Sequence, residues 1–120
     1  MAKTAFIFPG QGAQYVGMAK DFYDKYEECR KIIDEADELM DFDLKAIMFE
    51  ENELINKTEY TQAAMLAAEC CILKAVELKG IKADITAGLS LGEYAALVAS
   101  GALDFADAMK LSLIHISEPT

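Results

Sequence analysis

A Gly-Leu-Ser-Leu-Gly segment at positions 88–92 restricts the fold of this chain more than any other feature. A β-prone triplet at 85–87 precedes it, and an apolar run at 93–100 that is typical of a helix follows it. A serine between a strand and a helix, with glycines two positions before and after it, predicts the sharp turn called a nucleophile elbow. The glycines are needed because side chains at those positions would collide across the turn. An ordinary turn serine is the alternative interpretation of Ser90.

The elbow predicts a nucleophile together with part of an oxyanion hole. The hydroxyl of Ser90 is expected to project from the sheet edge. The backbone N–H of Leu91 is expected at a helix N-terminus, where it can donate to an oxygen that becomes negative during acyl transfer. Gln11 is a second candidate donor, because Gly10 and Gly12 flank it directly after the first β-prone segment and allow close approach of the backbone. The alternative for Gln11 is an ordinary turn.

The order of predicted elements is typical of a single α/β domain with parallel strands. The predicted elements are a strand at 4–8, a helix beginning near 17, helices at 26–40, 44–49 and 61–79, a strand at 85–87, and helices at 93–100 and from 105. Thr61 and Asp104 are expected to cap the helices that follow them, and Gly80 is expected in the left-handed conformation after the long helix. The polar residues from 50 to 57 predict a surface connection.

Composition and charge exclude several classes of function. The chain has 120 residues, 53% of them hydrophobic, which is enough for one small domain. Its formal net charge of −10 argues against nucleic acid and anionic membranes as partners, since both require a basic face. No apolar stretch approaches the ~18 residues of a membrane span, and the N-terminus lacks the core of a signal peptide, so we expect a cytoplasmic protein.

Two further features are interpreted as structural. Thirteen of the 21 acidic residues lie between positions 21 and 53, which predicts a solvated helical face. Cys29, Cys70 and Cys71 lack metal-ligand spacing and lie on apparently helical segments. They therefore predict free, buried thiols rather than nucleophiles or metal ligands.

Three segments, taken in order, resemble the malonyl-CoA:acyl carrier protein transacylase family. They are Phe-Pro-Gly-Gln-Gly at 8–12, Thr-Glu-Tyr-Thr-Gln at 58–62 and Gly-Leu-Ser-Leu-Gly-Glu-Tyr at 88–94, and the similarity extends from about Lys3 to about Leu111. The resemblance implies an α/β-hydrolase-like acyltransferase domain, without cofactor or metal, that moves a malonyl group in fatty acid synthesis. Malonyl-CoA and acyl carrier protein are the partners that it implies.

The same resemblance implies roles for individual residues. Ser90 would form the malonyl ester, Gln11 and the backbone of Leu91 would form the oxyanion hole, and Gln62 would lie near the pocket. Leu89 departs from the family, which often has a histidine before the serine. We expect a modest effect, because that histidine is not the catalytic base.

The resemblance also implies that essential parts of the enzyme are missing. The family takes its catalytic histidine, an arginine that binds the malonyl carboxylate and a small ferredoxin-like subdomain from later segments. The single histidine, His115, falls where the arginine is expected and is interpreted as non-functional. The sequence departs from the family after Leu111. We therefore assign 1–111 to a partial acyltransferase domain and 112–120 to a tail, interpreted as foreign read-through on a truncated gene, and expect an inactive fragment.

Other interpretations stay open at this point. The chain can derive from an acyltransferase domain of a polyketide or fatty acid megasynthase, although Met1 stands only three residues ahead of the first predicted strand, which favours a stand-alone enzyme. It can also be a non-catalytic fragment that retains the front half of the fold. An α/β-hydrolase is a weaker alternative, because those enzymes need an acid and a histidine later in the chain.

Overall fold

The helices and strands follow one another in the predicted order. The computed structural model describes residues 4–9, 14–51, 54–81, 83, 85–88, 92–101 and 103–117. The elements are β1 (Ala5–Phe8), α1 (Lys20–Lys25), α2 (Glu27–Leu39), α3 (Leu44–Phe49), a 3₁₀ turn (Leu54–Asn56), α4 (Thr58–Leu78), β2 (Ile85–Gly88), α5 (Gly92–Ala99) and α6 (Phe105–Ser117).

The two strands pair in parallel, which confirms the prediction of an α/β arrangement. Ala5 lies opposite Ile85 and Phe8 lies opposite Gly88. Parallel neighbours need a long crossover connection, and here the chain between the strands contains α1 to α4. α5 comes directly after β2 in the chain and packs against both strands.

α4 is the central helix of the domain and is apolar on nearly all sides. It contacts every other helix, and its buried residues run almost without interruption from Thr61 to Cys71. Such a helix is stable only when neighbours cover it. The apolar run at 63–76 favours burial against a sheet, whereas α4 packs mainly against the other helices. Within the described ranges, no helix has both the length and the apolar character that crossing a bilayer requires.

α2 packs against α4 through an apolar stripe that has helical spacing. Cys29, Ile33 and Ala36 are fully buried on this stripe. The thiol of Cys29 donates a hydrogen bond to the backbone carbonyl of Cys71 at 3.3 Å. The exposed acidic residues of α2 are Glu27, Glu28, Glu35 and Glu38. All three cysteines are free and buried, so the structural interpretation of the thiols is confirmed.

The start of α4 differs from the prediction. The helix begins at Thr58 with Lys57 as its N-cap, so Thr61 lies inside the first turn rather than before it. Thr61 is fully buried. Its hydroxyl donates to the backbone carbonyl of Ile55 and to that of Lys57, the latter at 2.9 Å. A threonine inside a helix can bond in this way to the carbonyl four residues earlier. The predicted N-cap is therefore wrong, and Thr61 instead joins α4 to the preceding turn.

The connection before α4 is also less exposed than predicted. The 3₁₀ turn forms within it, and Ile55 is only 3% exposed. The residues around Ile55 are mostly polar, so the sequence does not indicate that it belongs to the core. At the other end of α4 the prediction is confirmed, because Gly80 has a φ of +81°. The N–H of Ile81 donates to the carbonyl of Val76 at 3.4 Å, as in a Schellman ending.

Replacement of Ile33 by alanine is expected to lower the free energy of unfolding by about 2–5 kcal/mol, because the change leaves a cavity between α2 and α4. The same replacement at Ile72, which is 37% exposed, is the matched control and should cost clearly less. Urea unfolding followed by circular dichroism measures both. Equal losses at the two positions would contradict the packing described here.

Candidate active site

The carboxyl ends of β1 and β2 meet at one edge of the sheet. Phe8 and Gly88, the last residues of the two strands, are direct partners in the parallel ladder. Neighbouring strands lie about 4.8 Å apart, so the chain leaves both strands from adjacent positions. The segment that contains Gln11 and the segment that contains Ser90 therefore start side by side.

The predicted surroundings of the elbow are present. β2 ends at Gly88 and α5 begins at Gly92, so only three residues lead from strand to helix. Ala95 and Ala96 of α5 are buried, and α5 contacts both strands. The N-terminus of α5 thus stands at the edge where the strands end. Free backbone N–H groups and the helix dipole favour negative charge there.

Ser90, Leu91 and Gln11, the three predicted site residues, lie outside the residues that the structure describes. Their assigned roles stay predictions. The described residues establish instead which elements border them: β2 and α5 on either side of Ser90 and Leu91, and β1 before Gln11.

Two hydrogen bonds hold the segment that follows Gln11. The side-chain amide of Gln14 donates to the side-chain oxygen of Asn56 at 3.1 Å. The N–H of Gly17 donates to the backbone carbonyl of Met48 at 2.7 Å. These bonds join the loop after β1 to α3 and the 3₁₀ turn. Sequence analysis missed Gln14 and Asn56, and no local signal pairs two residues that are 42 positions apart.

Gln62 and His115 occupy different helices. Gln62 is half-buried in the first turns of α4, directly after Thr61. Residue 115 belongs to α6, although its side chain is outside the described part of the structure. In the part of the chain that is described, no cluster of three histidine, cysteine, aspartate or glutamate side chains is arranged to hold a metal ion.

Comparison with known proteins decides the family. A sequence profile of the family described as acyl transferase domain matches residues 5–116, almost the whole chain. The chain belongs to the acyl transferase family. The match extends five residues past the boundary at 111 that the sequence analysis assigned.

Individual acyl transferases agree with this assignment. The malonyl CoA-acyl carrier protein transacylase of Bacillus subtilis is 44% identical over 110 residues, which is 91% of this chain and 35% of that protein. The solved structure of the malonyl CoA-acyl carrier protein transacylase from Clostridium perfringens is 46% identical and superimposes with a TM-score of 0.88 over 93% of this chain and 36% of its own. The chain thus spans little more than a third of the relatives that it matches.

A third relative was solved together with its partner. It is a malonyl-transacylase in complex with a type II PKS acyl-carrier protein, 37% identical to this chain, with a TM-score of 0.87. The match covers 94% of this chain and 37% of that one. The acyl transferase fold of the solved relatives is thus retained in this part of the sequence.

The described thiols are poor nucleophiles. Burial raises the pKa of Cys29, and it raises the pKa of Cys71 to about 12. The pKa of Cys70 rises further still, again chiefly through burial. Because the thiolate is the reactive form, these three cysteines are inert near neutral pH.

Sequence analysis missed one unusual acid, Glu69. It is the single charged residue in the apolar run at 63–73 and is only 8% exposed. Neither of its carboxylate oxygens has a hydrogen-bond partner among the described residues. Burial raises its pKa from 4.5 to about 8. The signal in the sequence that indicates Glu69 is a charged residue inside an apolar helix. Glu69 follows Gln62 by seven residues, which is about 10 Å along the helix axis.

Glu69 also lines a groove of about 340 Å³. The groove runs along β1 as far as the carboxyl end of that strand. Its lining residues are Ala5, Phe6, Ile7, Phe8, Pro9, Glu69, Ile72, Leu73 and Val76. Glu69 is thus a buried acid beside an apolar groove.

The stability of the chain is expected to fall as pH rises from about 4.5 to about 8. In this range the native state keeps the proton on Glu69 and the unfolded state does not. The free energy of unfolding then decreases by up to about 1.4 kcal/mol per pH unit, and the decrease ends above the folded pKa. Urea unfolding between pH 5 and 9 measures this slope.

The Glu69→Gln variant is expected to lose that part of the slope, because the amide does not titrate. Glu77→Gln, on an exposed position of the same helix, is the matched control and should keep it. Identical pH profiles for Glu69→Gln and the unmodified chain would show that Glu69 is not the group responsible.

Proposed function

We propose that this chain is the nucleophile-bearing part of a malonyl-CoA:acyl carrier protein transacylase and that Ser90 carries the malonyl group. The observation that supports this most directly is the pairing of Phe8 with Gly88. It starts the Gln11 segment and the Ser90 segment at one sheet edge, beside the N-terminus of α5. The names of the relatives supply the substrate class.

The proposed chemistry is acyl transfer in two steps. The Ser90 oxygen attacks the thioester carbonyl of malonyl-CoA, a base takes the hydroxyl proton, and the carbon–sulfur bond breaks to release coenzyme A. The thiol sulfur of acyl carrier protein then attacks the ester carbonyl, and the base takes the thiol proton. The carbon–oxygen bond of the ester breaks, the proton passes to the Ser90 oxygen, and the malonyl group leaves as a thioester of acyl carrier protein. The carbonyl oxygen becomes negative in both steps.

Gln11 and the backbone N–H of Leu91 are proposed to stabilise that negative oxygen. An N–H at the start of α5 is suited to this role, because helix N-termini carry unpaired donors and partial positive charge. Gln62 is proposed to lie near the acyl group. These roles follow the motif positions at 8–12, 58–62 and 88–94.

The base and the malonyl-binding arginine are proposed to belong to the part of the fold that this chain lacks. The sequence has one histidine, at the position where the family has the arginine. We infer that the two strands belong to an α/β-hydrolase-like core and that the small ferredoxin-like subdomain of the family is not contained in these 120 residues. The division into 1–111 and a foreign tail at 112–120 also stays a proposal, since α6 continues across position 111 to Ser117.

The proposed partners are malonyl-CoA and acyl carrier protein, in the cytoplasm. One relative was solved with an acyl-carrier protein bound. Acyl carrier protein of this pathway is acidic, so its docking surface is expected to be basic, whereas this chain carries a net charge of −10. We infer that the docking residues lie in the missing part. Nucleic acid and membranes are not proposed as partners, for the same reason of charge.

A second candidate function is a non-catalytic fragment. The observation that favours it is the coverage, because the chain spans only 35% of the Bacillus subtilis relative. The two proposals differ in a measurable way. The first proposal predicts that Ser90 carries the malonyl group when the domain is complete. The second predicts that the chain alone transfers no malonyl group.

The chain alone is expected to transfer no measurable malonyl group from malonyl-CoA to acyl carrier protein, because no residue in it is assigned as the base. Transfer of radiolabelled malonyl checks this, with the full-length Bacillus subtilis relative as the positive control. Turnover close to that of the relative would show that the chain contains a complete active site.

A chimera tests Ser90 directly. Residues 1–111 of this chain are joined to the remaining part of the Bacillus subtilis relative, and malonyl transfer is measured. Ser90→Ala is expected to lower kcat at least about 10³-fold, because the nucleophile is lost. Ser100→Ala, at an exposed position after α5, is the control and should leave kcat unchanged.

Mass spectrometry of the chimera supplies a second readout. Malonyl-CoA alone should add one malonyl group to the peptide that contains Ser90. Malonylation of another residue, or full activity of Ser90→Ala, would contradict the assignment.

A further inference from the structure

Gln14 and Asn56 connect two of the three motif segments of the chain. Gln14 stands two positions after the segment at 8–12, and Asn56 stands two positions before the segment at 58–62. The side-chain amide of Gln14 donates to the side-chain oxygen of Asn56 at 3.1 Å, although 42 positions separate the two residues. This bond therefore joins the chain just outside one motif segment to the chain just outside another.

The remaining connections between the motif segments come from the strands and the helices. Phe8 pairs with Gly88, so the parallel ladder joins the segment at 8–12 to the segment at 88–94. The segment at 58–62 forms the first turn of α4, and α4 contacts α5, which begins within the segment at 88–94. The three motif segments are thus linked pairwise, by a strand pair, a helix contact and the side-chain hydrogen bond.

Asn56 belongs to a turn that is itself fixed to α4. The 3₁₀ turn packs against α3 and α4, and Ile55 within it is buried. The hydroxyl of the buried Thr61 donates to the backbone carbonyls of Ile55 and Lys57, the residues on either side of Asn56. Thr61 directly precedes Gln62, which is proposed to lie near the acyl group. The side-chain oxygen of Asn56 is therefore held on a support that continues into the site.

The anchor at Gln14 is close to Gln11 along the chain. Gln11 stands three residues after Phe8 and three residues before Gln14. A chain spans at most about 3.6 Å per residue, so each of these two residues keeps Gln11 within about 11 Å. The bond from the N–H of Gly17 to the carbonyl of Met48 is a further anchor. It lies six residues from Gln11 and therefore limits the position of Gln11 less.

We propose that Asn56 and Gln14 are positioning residues for acyl transfer, and that their hydrogen bond holds the Gln11 segment where Gln11 can donate to the negative carbonyl oxygen. Neither residue is assigned a contact with the substrate. The inference rests on the proposed function, because it requires Gln11 to be an oxyanion donor. Such donors are effective because they are already in place when the charge develops, so loss of the anchor lowers the rate without removing a reacting group.

Kinetics of the chimera described above test this role. Asn56→Leu removes the acceptor and keeps a side chain of similar size. We expect kcat for malonyl transfer to fall at least about 5-fold, because a misplacement of 1 Å can cost about 100-fold and the Gly17 anchor remains. KM for malonyl-CoA should stay unchanged, because the donor acts in the transition states of both steps.

Further variants separate the hydrogen bond from a general effect of substitution. Asn56→Asp keeps an acceptor oxygen at the same position, so its kcat should lie within about 2-fold of the unmodified value. Gln14→Glu replaces the donor by a second acceptor and should lower kcat as Asn56→Leu does. The two changes combined should cost no more than either alone, because both break one bond.

Lys57→Ala is the matched control. Lys57 is exposed and adjacent to Asn56, and the Thr61 hydroxyl uses its backbone carbonyl rather than its side chain. This variant should leave kcat unchanged.

Hydrogen exchange in the 120-residue chain gives a readout that does not depend on catalysis. Amides of the peptide at 10–17 should exchange at least about 5-fold faster in Asn56→Leu than in the unmodified chain or in Asn56→Asp, because the segment opens more often without its anchor. The urea midpoint should stay the same, since Asn56 is exposed and its replacement leaves no cavity. The change is therefore expected to be local to the segment.

Three outcomes overturn the positioning role. They are an unchanged exchange rate in Asn56→Leu, an unchanged kcat in the Asn56→Leu chimera, and an equal loss of kcat in Asn56→Leu and Asn56→Asp. Full activity of the Ser90→Ala chimera instead overturns the proposed function, and it does not alter the exchange comparison. The failure of the inference and the failure of the proposed function are thus distinguishable.

Discussion

The parallel pairing of β1 with β2 is the constraint on which the rest of the structure depends. It joins Phe8 to Gly88, two residues that are eighty positions apart, and directs both following segments to one edge. Parallel pairing cannot be made by a tight turn, so the intervening chain must cross over as helices. The long helix α4 and its neighbours are this crossover. The position of the candidate active site is a consequence of the same pairing.

α4 shows how the crossover is stabilised and where it is left incomplete. Its alanines at 63, 64, 67, 68 and 75 are buried and allow neighbouring helices to approach closely. Large buried side chains on those neighbours, such as Ile33, Met48 and Met109, complete the core. On the side of β1 the cover ends, and Glu69 and Ile72 border an open groove. A domain with a well-filled core on one side and an open apolar groove on the other is consistent with a part of a larger fold.

Local patterns predicted most of the elements, for identifiable reasons. The apolar stripe of α2 repeats at helical spacing, and Gly80 and Gly101 stand at left-handed positions that side chains disfavour. Thr61 was misassigned because a threonine hydroxyl can bond either to an N–H before a helix or to a carbonyl within it. Only the surroundings distinguish the two cases. Ile55 was missed because a single apolar residue in a polar segment has no periodicity.

The sequence by itself determined the order of strands and helices, the glycine-flanked serine and the resemblance to acyl transferases, because propensity, periodicity and motif spacing are local properties of the chain. The tertiary structure decided which distant segments meet. The pairing of Phe8 with Gly88, the link from Gln14 to Asn56 and the burial of Glu69 beside β1 all join residues that are far apart in sequence. Such contacts depend on how the helices pack, and no local pattern contains that information.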